Sequence, residues 1–373
     1  MFSLKLTDHQ AELDKQVRAL TARLRAAGLA AERERTIPAE LAADLDALGH
    51  SLYGGTEPAD PLTELVVLEA LAFGDPGIAY AMLPAFQLAH LVGRQADAER
   101  RARYLPRLAA SWSASASLLY FEGYGRSPAE LATSAVRDRD GWTVTGTKVA
   151  VHRPADAELS ALIARDGTEL VGFLLDRPPG RVVWDSWRTG SLGGGVRPTG
   201  EVVLDGVHCT DDQRLAVSGT ELNRSVSYAR LMLAAVLVGA AAAAVDYAGT
   251  YAAGRQAFGR ALTAFQGVTF ALVDADTRTE SARLALWQAA TELADAGEAG
   301  TGEPERLDEL TGRAVRHACD SATEVTREGI QLLGVHGIVT EHPVERFWRH
   351  ASTLSLIDFD PLATPLALGA GGI

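Results

Sequence analysis

Residues 231–245 form a run of fifteen apolar residues, rich in alanine and leucine. A bilayer span takes about 20 such residues. The run is therefore short for a membrane and reads as a helix buried on nearly every side. Such a helix needs other helices around it, and the sequence supplies them. The first continues to about Gly254, a second runs from about Thr263 to Ala296, and a third from about Glu305 to Leu333. Residues 297–303 read as a loop between the last two.

Ahead of this region the chain has two further characters. Residues 4 to about 110 read as helices. Thr7-Asp-His-Gln10 has the form of a capping box, and Leu13, Val17, Leu20 and Leu24 then mark one face. Leu41, Leu45 and Leu48 mark a helix after Pro38. Residues 64–73 and 78–92 continue the pattern, divided by Gly74-Asp-Pro-Gly77. Around Trp112 the pattern changes to short β-branched runs at 143–145, 162–164, 170–175, 181–184 and 201–204, separated by Gly, Pro and Asp. Their spacing predicts a small antiparallel barrel or sandwich. The expected fold class is α+β, with a helical domain over 1–111, a β-barrel domain over 112–220 and a helical bundle over 221–373.

A chain of 373 residues exceeds one ordinary core, consistent with that division. Its net charge of −13 argues against nucleic acid or an anionic membrane as partner. A nucleotide cofactor stays open, because local arginines decide that. Cys209 and Cys319 lie far apart without metal-ligand spacing, which fits a reducing cytoplasm and no zinc site. The N-terminus lacks an apolar core of signal-peptide length. A soluble, cytoplasmic protein with no membrane insertion is expected.

One stretch carries chemistry: Tyr251-Ala-Ala-Gly-Arg-Gln-Ala-Phe-Gly259, followed by Phe265-Gln266. It reads as the end of one helix, a turn around Gly259 and the start of another. Arg255 offers a fork of donors suited to phosphate, and Gln266 offers both a donor and an acceptor. Three more segments are read beside it: Gly141-Trp-Thr-Val-Thr-Gly-Thr-Lys148, Gln331-Leu-Leu-Gly-Val-His-Gly337 and Pro343-Val-Glu-Arg-Phe-Trp-Arg349. Together these segments resemble the acyl-CoA dehydrogenase family's R-x-x-F-G…F-Q, G-x-x-x-x-G-x-K, Q-x-x-G-G-x-G and P-x-E-R…R-D motifs.

The resemblance implies a helical domain, a middle β-barrel and a C-terminal four-helix bundle, with FAD as cofactor. It implies that Arg255, Phe258 and Gln266 reach the FAD of a neighbouring protomer in a homotetramer or mixed tetramer, and that Gln331 and Gly334 close over it. The implied substrate is an acyl thioester on CoA or a carrier protein, and electrons leave to a transfer partner or oxygen. The chain departs from the family at two flavin contacts. Phe121-Glu-Gly-Tyr-Gly-Arg-Ser-Pro128 stands for T-E-P-x-x-G-S-D, and Ala150-Val151-His152 for W-I-T or W-I-S. Phe121, Val151 and His152 would then serve FAD through their backbone. Val335 replaces the second glycine of Q-x-x-G-G-x-G, where a side chain would crowd a close backbone approach.

Dehydrogenation beside a thioester needs a carboxylate to take the α-proton. Counting from Arg349, the family's base position is Asp358, with Asp360 second. A second family branch places a glutamate before an arginine on the first bundle helix. Here that pair is Ala229-Arg230, which leaves Arg230 as a pocket residue or a structural ion-pair member. The leading expectation is FAD-dependent α,β-dehydrogenation of an acyl thioester in a specialised or biosynthetic pathway. The alternatives are a catalytically impaired subunit of a mixed tetramer, and a flavin oxidase or monooxygenase acting on a non-thioester substrate.

Overall fold

The computed structural model describes residues 5–53, 59–110, 116–123, 131–155, 157–183, 193, 195–196, 199–299 and 304–357. Among the described residues six helices come first: α1 (Asp8–Arg18), α2 (Thr21–Glu34), α3 (Ala39–Tyr53), α4 (Pro61–Gly74), α5 (Pro76–Gln95) and α6 (Ala98–Ala110). The capping box at Thr7 is present, with Gln10 N–H donating to Thr7 Oγ1 at 3.2 Å and Thr7 N–H to Gln10 Oε1 at 2.9 Å. The stripe from Leu13 to Leu24 does not sit on one helix, because the chain breaks at Ala19 and Leu20 between α1 and α2. Asp60 and Asp75 cap α4 and α5, each followed by proline in the first turn, where its missing N–H costs nothing.

Seven strands follow among the described residues: β1 (Ala116–Leu119), β2 (Ser134–Arg137), β3 (Trp142–His152), β4 (Leu159–Asp166), β5 (Glu169–Leu175), β6 (Arg181–Val183) and β7 (Thr199–Cys209). They form one sheet in the order β1-β4-β2-β3-β7-β6, with β5 paired to β4. The sheet is mixed, which corrects the antiparallel expectation. β1 runs parallel to β4, from Ala116 opposite Leu159 to Leu119 opposite Leu162. Alternate residues, among them Trp142, Val144, Val151, Phe173, Val202 and Leu204, point into a core of the sheet's own.

The chain then enters α7 (Gly219–Gly254), α8 (Gln266–Ala299), α9 (Pro304–Leu333) and the shorter α10 (Val344–Leu354). By length and composition α7 could cross a membrane, yet 78% of its most apolar window is buried inside the protein. Helices α4, α5, α8, α9 and α10 surround it. Glycine is required at one crossing: a Cβ on Gly239 would lie 2.4 Å from the Glu69 carbonyl oxygen of α4.

Candidate active site

The Arg255 stretch folds as a protruding hairpin. β8 (Gln256–Ala257) pairs with β9 (Arg260–Ala261), and Phe258 and Gly259 form the turn with φ of 51° and 79°. Two successive positive φ values match the twist of a tight hairpin. A phenylalanine in that conformation is uncommon and marks a constrained position. Phe258 is 97% exposed. Arg260 lies over the Phe265 ring at 4.0 Å, which stiffens the base of the hairpin. Arg255 is exposed, and its guanidinium makes no ion pair or side-chain hydrogen bond among the described residues. Gln266 is exposed at the first turn of α8, a helix N-terminus suited to anions.

Large apolar side chains on α8 and after α9 are exposed as well. Phe270 and Val273 of α8, together with Val335 and Ile338, are more than half exposed. The side chain of Val335 thus points to solvent. Gly334 has φ of 60°, and among the described residues no heavy atom lies within 4 Å of its would-be Cβ, so backbone there is open to approach. Gln331 is exposed on the last turn of α9. His336 Nδ1 meets the Tyr251 hydroxyl at 2.6 Å, and His342 Nδ1 meets that of Tyr247 at 2.9 Å. These contacts tie the segment after α9 to the end of α7.

At the sheet, the side chains of Phe121 and Val151 are buried in the two hydrophobic cores. Any contact with a cofactor at these positions must therefore come from backbone. Phe121 gives its carbonyl to Val149 N–H at 2.9 Å. A register shift between Lys148 and Val151, with Ala150 at φ of 54°, bulges β3 and turns His152 out of the sheet core toward α5. There its ring lies 4.3 Å from that of Tyr80.

Glu122, the surviving acid of the altered motif, has a structural task. It accepts from Lys148 Nζ at 2.8 Å, from Thr133 Oγ1 at 2.6 Å and from the N–H groups of Thr133 and Ala132. Burial alone would raise the Glu122 carboxyl, but Lys148 and these hydrogen bonds outweigh it and hold it below its ordinary value.

Helix α10, which leads to the expected base, is anchored by charges. Arg346 donates to Asp75 at 2.9 Å with both groups buried. Arg349 clasps Glu32 through two nitrogens at 2.6 and 2.8 Å and also meets Glu345. His350 is fully buried, and that burial pushes its imidazole below the ordinary value. Its ring occupies the space a Cβ on Gly77 would need. Asp358 and Asp360 lie outside the described residues. Arg230 is 1% exposed within α7, and the neighbouring Ala229 carbonyl accepts from Gln87 of α5 at 3.1 Å. The ion pairs of α10 and the Tyr80–His152 contact escaped sequence reasoning. Lys148, the one lysine in a strand without an acid, was a usable signal for its buried acid.

These parts define a class: a helical–β–helical protein with an arginine left unpartnered, among the described residues, on an apolar face. The acyl-CoA dehydrogenase N-terminal domain model matches residues 7–111, and the C-terminal domain model matches 222–358. A probable acyl-CoA dehydrogenase, FadE25 of Mycobacterium tuberculosis, is 27% identical over 372 residues, covering 95% of this chain and 92% of its own. Butyryl-CoA dehydrogenase from Megasphaera elsdenii superposes with a TM-score of 0.80 at 23% identity, over 97% of both chains. A glutaryl-CoA dehydrogenase from Mycobacterium smegmatis in complex with FADH2 gives 0.78 at 22% identity, over 96% of this chain and 93% of that one. The prolyl acyl carrier protein oxidase AnaB gives 0.79 at 22%, over 96% and 97%. The chain belongs to the acyl-CoA dehydrogenase family, FAD-dependent oxidoreductases that act on CH–CH groups.

Proposed function

We propose that the protein oxidises the Cα–Cβ bond of an acyl thioester carried on CoA or a carrier protein, in a specialised or biosynthetic pathway in the cytoplasm. The observation that carries this reading is the Arg255 guanidinium, unpartnered among the described residues on a stiff hairpin and bordered by exposed apolar side chains. A charge and an apolar patch left together in this way fit a diphosphate and a second protein surface. Arg255 and Gln266 would hold the diphosphate of FAD bound mainly by another copy of the chain, in a dimer or tetramer. Phe258, Gln331 and Gly334 would line the same contact, and the backbone at Phe121, Val151 and His152 would face the flavin ring. Bound FAD supplies the hydride acceptor. Asp358 would take the α-proton, Arg230 would border the acyl pocket, and the buried pairs of α10 would fix the start of the loop that carries the base. Electrons would leave to a transfer partner or to oxygen. The domain division at 111 and 220 belongs to the same reading.

The visible spectrum of the purified protein, followed by anaerobic bleaching with acyl-CoA and acyl-carrier thioesters, tests it. Bound flavin that a thioester bleaches is the expected result; flavin that no thioester bleaches overturns it. Absence of flavin would instead favour a non-catalytic subunit of a mixed tetramer, a reading that the buried Phe121 in place of threonine also fits.

Arg255→Ala should weaken FAD retention by about 1.5–3 kcal/mol through loss of a charge-assisted contact. The readout is flavin remaining after extended dialysis. Equal retention in variant and wild type would remove Arg255 from the cofactor site.

A further inference from the structure

We infer that the chain has a second binding site, for a small organic carboxylate, where the ends of α4, α5, α7 and α8 meet. A cavity of about 300 Å³ opens there between Pro61, Arg94, Ser225, Tyr228 and Leu293. It lies near the start of α7, whereas Arg255 lies at the other end of that 36-residue helix. At a rise of about 1.5 Å per residue, roughly 40 Å separates Tyr228 from Arg255. Arg230, which the proposed function sets beside the acyl pocket, is two residues from Tyr228 but about 200° round α7, so the two side chains leave the helix on different faces.

Its floor is built and rigid. Tyr228 is 3% exposed, and its hydroxyl has no hydrogen-bond partner among the described residues. Leaving such a group unpaired in the interior is costly and calls for a partner. The Tyr228 ring cannot easily turn away, because it stacks on His90 at 4.3 Å with planes 7° apart. His90 is itself held by Glu64 at 2.8 Å, and the Tyr53 hydroxyl bonds the same carboxylate. Three residues before Tyr228, and so on the same helix face, Ser225 accepts from Gln95 Nε2 at 3.1 Å. The proton of the Ser225 hydroxyl therefore remains to be donated.

The rim adds positive charge. Arg94 is exposed on the last turn of α5 and makes no ion pair or hydrogen bond through its side chain among the described residues. Arg224 also lines the cavity. Glu221 is the acid in the lining, and its carboxylate is engaged by the Ser218 cap at 2.9 and 3.0 Å. Two more carboxylates act on Tyr228: Glu64, held by His90 and Tyr53, and Asp60, held by Thr63 N–H at 3.1 Å and Gln10 Nε2 at 3.3 Å. Two hydroxyl donors below and guanidinium above suit the two oxygens of a carboxylate. The Leu293 wall suits the methylenes of an organic acid over a bare inorganic anion.

Calorimetric titration of the full chain with acetate, butyrate, succinate and inorganic phosphate tests this. Saturable one-site binding of at least one carboxylate is expected, with phosphate weaker by about tenfold or more. Arg94→Ala and Tyr228→Phe should each weaken that carboxylate by about tenfold, the effect of one charge-assisted or buried hydrogen bond. Arg94 is a surface residue, and phenylalanine keeps the ring stack, so thermal melts should show both variants folded. If Tyr228→Phe fails to fold, Arg94→Ala alone decides. Any of three results overturns the inference: no saturable carboxylate binding, phosphate binding as tightly as the carboxylates, or unchanged affinity in the folded variants.

Discussion

Flavin reduction by an acyl thioester should fall by about 10³-fold in Asp358→Asn, with folding and FAD content unchanged. The amide keeps the shape of the carboxylate and cannot accept the α-proton. The position follows from the count along α10, whose first two turns are anchored by Arg346 on Asp75 and Arg349 on Glu32. The chain leaves that helix through a turn in which Ile357 N–H donates to the Leu354 carbonyl at 3.1 Å. Asp358→Glu should be tolerated or improved, because glutamate is the family's usual base and an error of about 1 Å in its placement can cost on the order of 100-fold. Asp360→Asn should change little. Anaerobic bleaching with a thioester panel is the measurement, and a full rate in Asp358→Asn would move the base elsewhere.

Lys148→Met should destabilise the fold by about 3–5 kcal/mol at pH 7, because it leaves the Glu122 carboxylate buried without its cation. The pH dependence separates this from a simple packing defect. In the wild type, Glu122 sits below its ordinary value of 4.5, so its contribution is complete above that pH and is lost as pH falls through the folded value. In Lys148→Met, burial raises the same carboxyl. The folded variant then takes up a proton before the unfolded chain does, and it gains stability relative to wild type on acidification. Urea unfolding at pH 7 and pH 5 should show the deficit shrinking. A deficit that stays constant would mean that the lost packing of the lysine stem dominates.

The helices were legible in the sequence where an apolar stripe and a start signal coincide, as at Thr7 and Pro38. The break at Ala19 and Leu20 was not, because the apolar spacing carries across a short turn: Val17 before it and Leu24 after it are both buried. The parallel pairing of β1 with β4 was also hidden. It joins segments about forty residues apart, as Ala116 opposite Leu159 shows, and nothing local in either strand specifies direction. In the candidate site, Arg255 and Phe258 belong to one short hairpin and Gln266 opens the next helix, so a single local stretch of sequence proposes all three. The charges that anchor α10 could not, since Asp75 and Arg346 stand 271 residues apart and each looks like an ordinary helix-end residue.

The burial of α7 also has a timetable. Its α4 and α5 neighbours are made before it, whereas α8 and α9, which cover it from the other side, are completed only at Leu333, 79 residues after Gly254. At about 5–20 residues per second, that leaves roughly 4–16 s in which a helix apolar enough for a membrane stands half-covered on the ribosome. Yield in a host should therefore depend on translation speed and chaperone supply over residues 254–333 more than on the finished fold's stability.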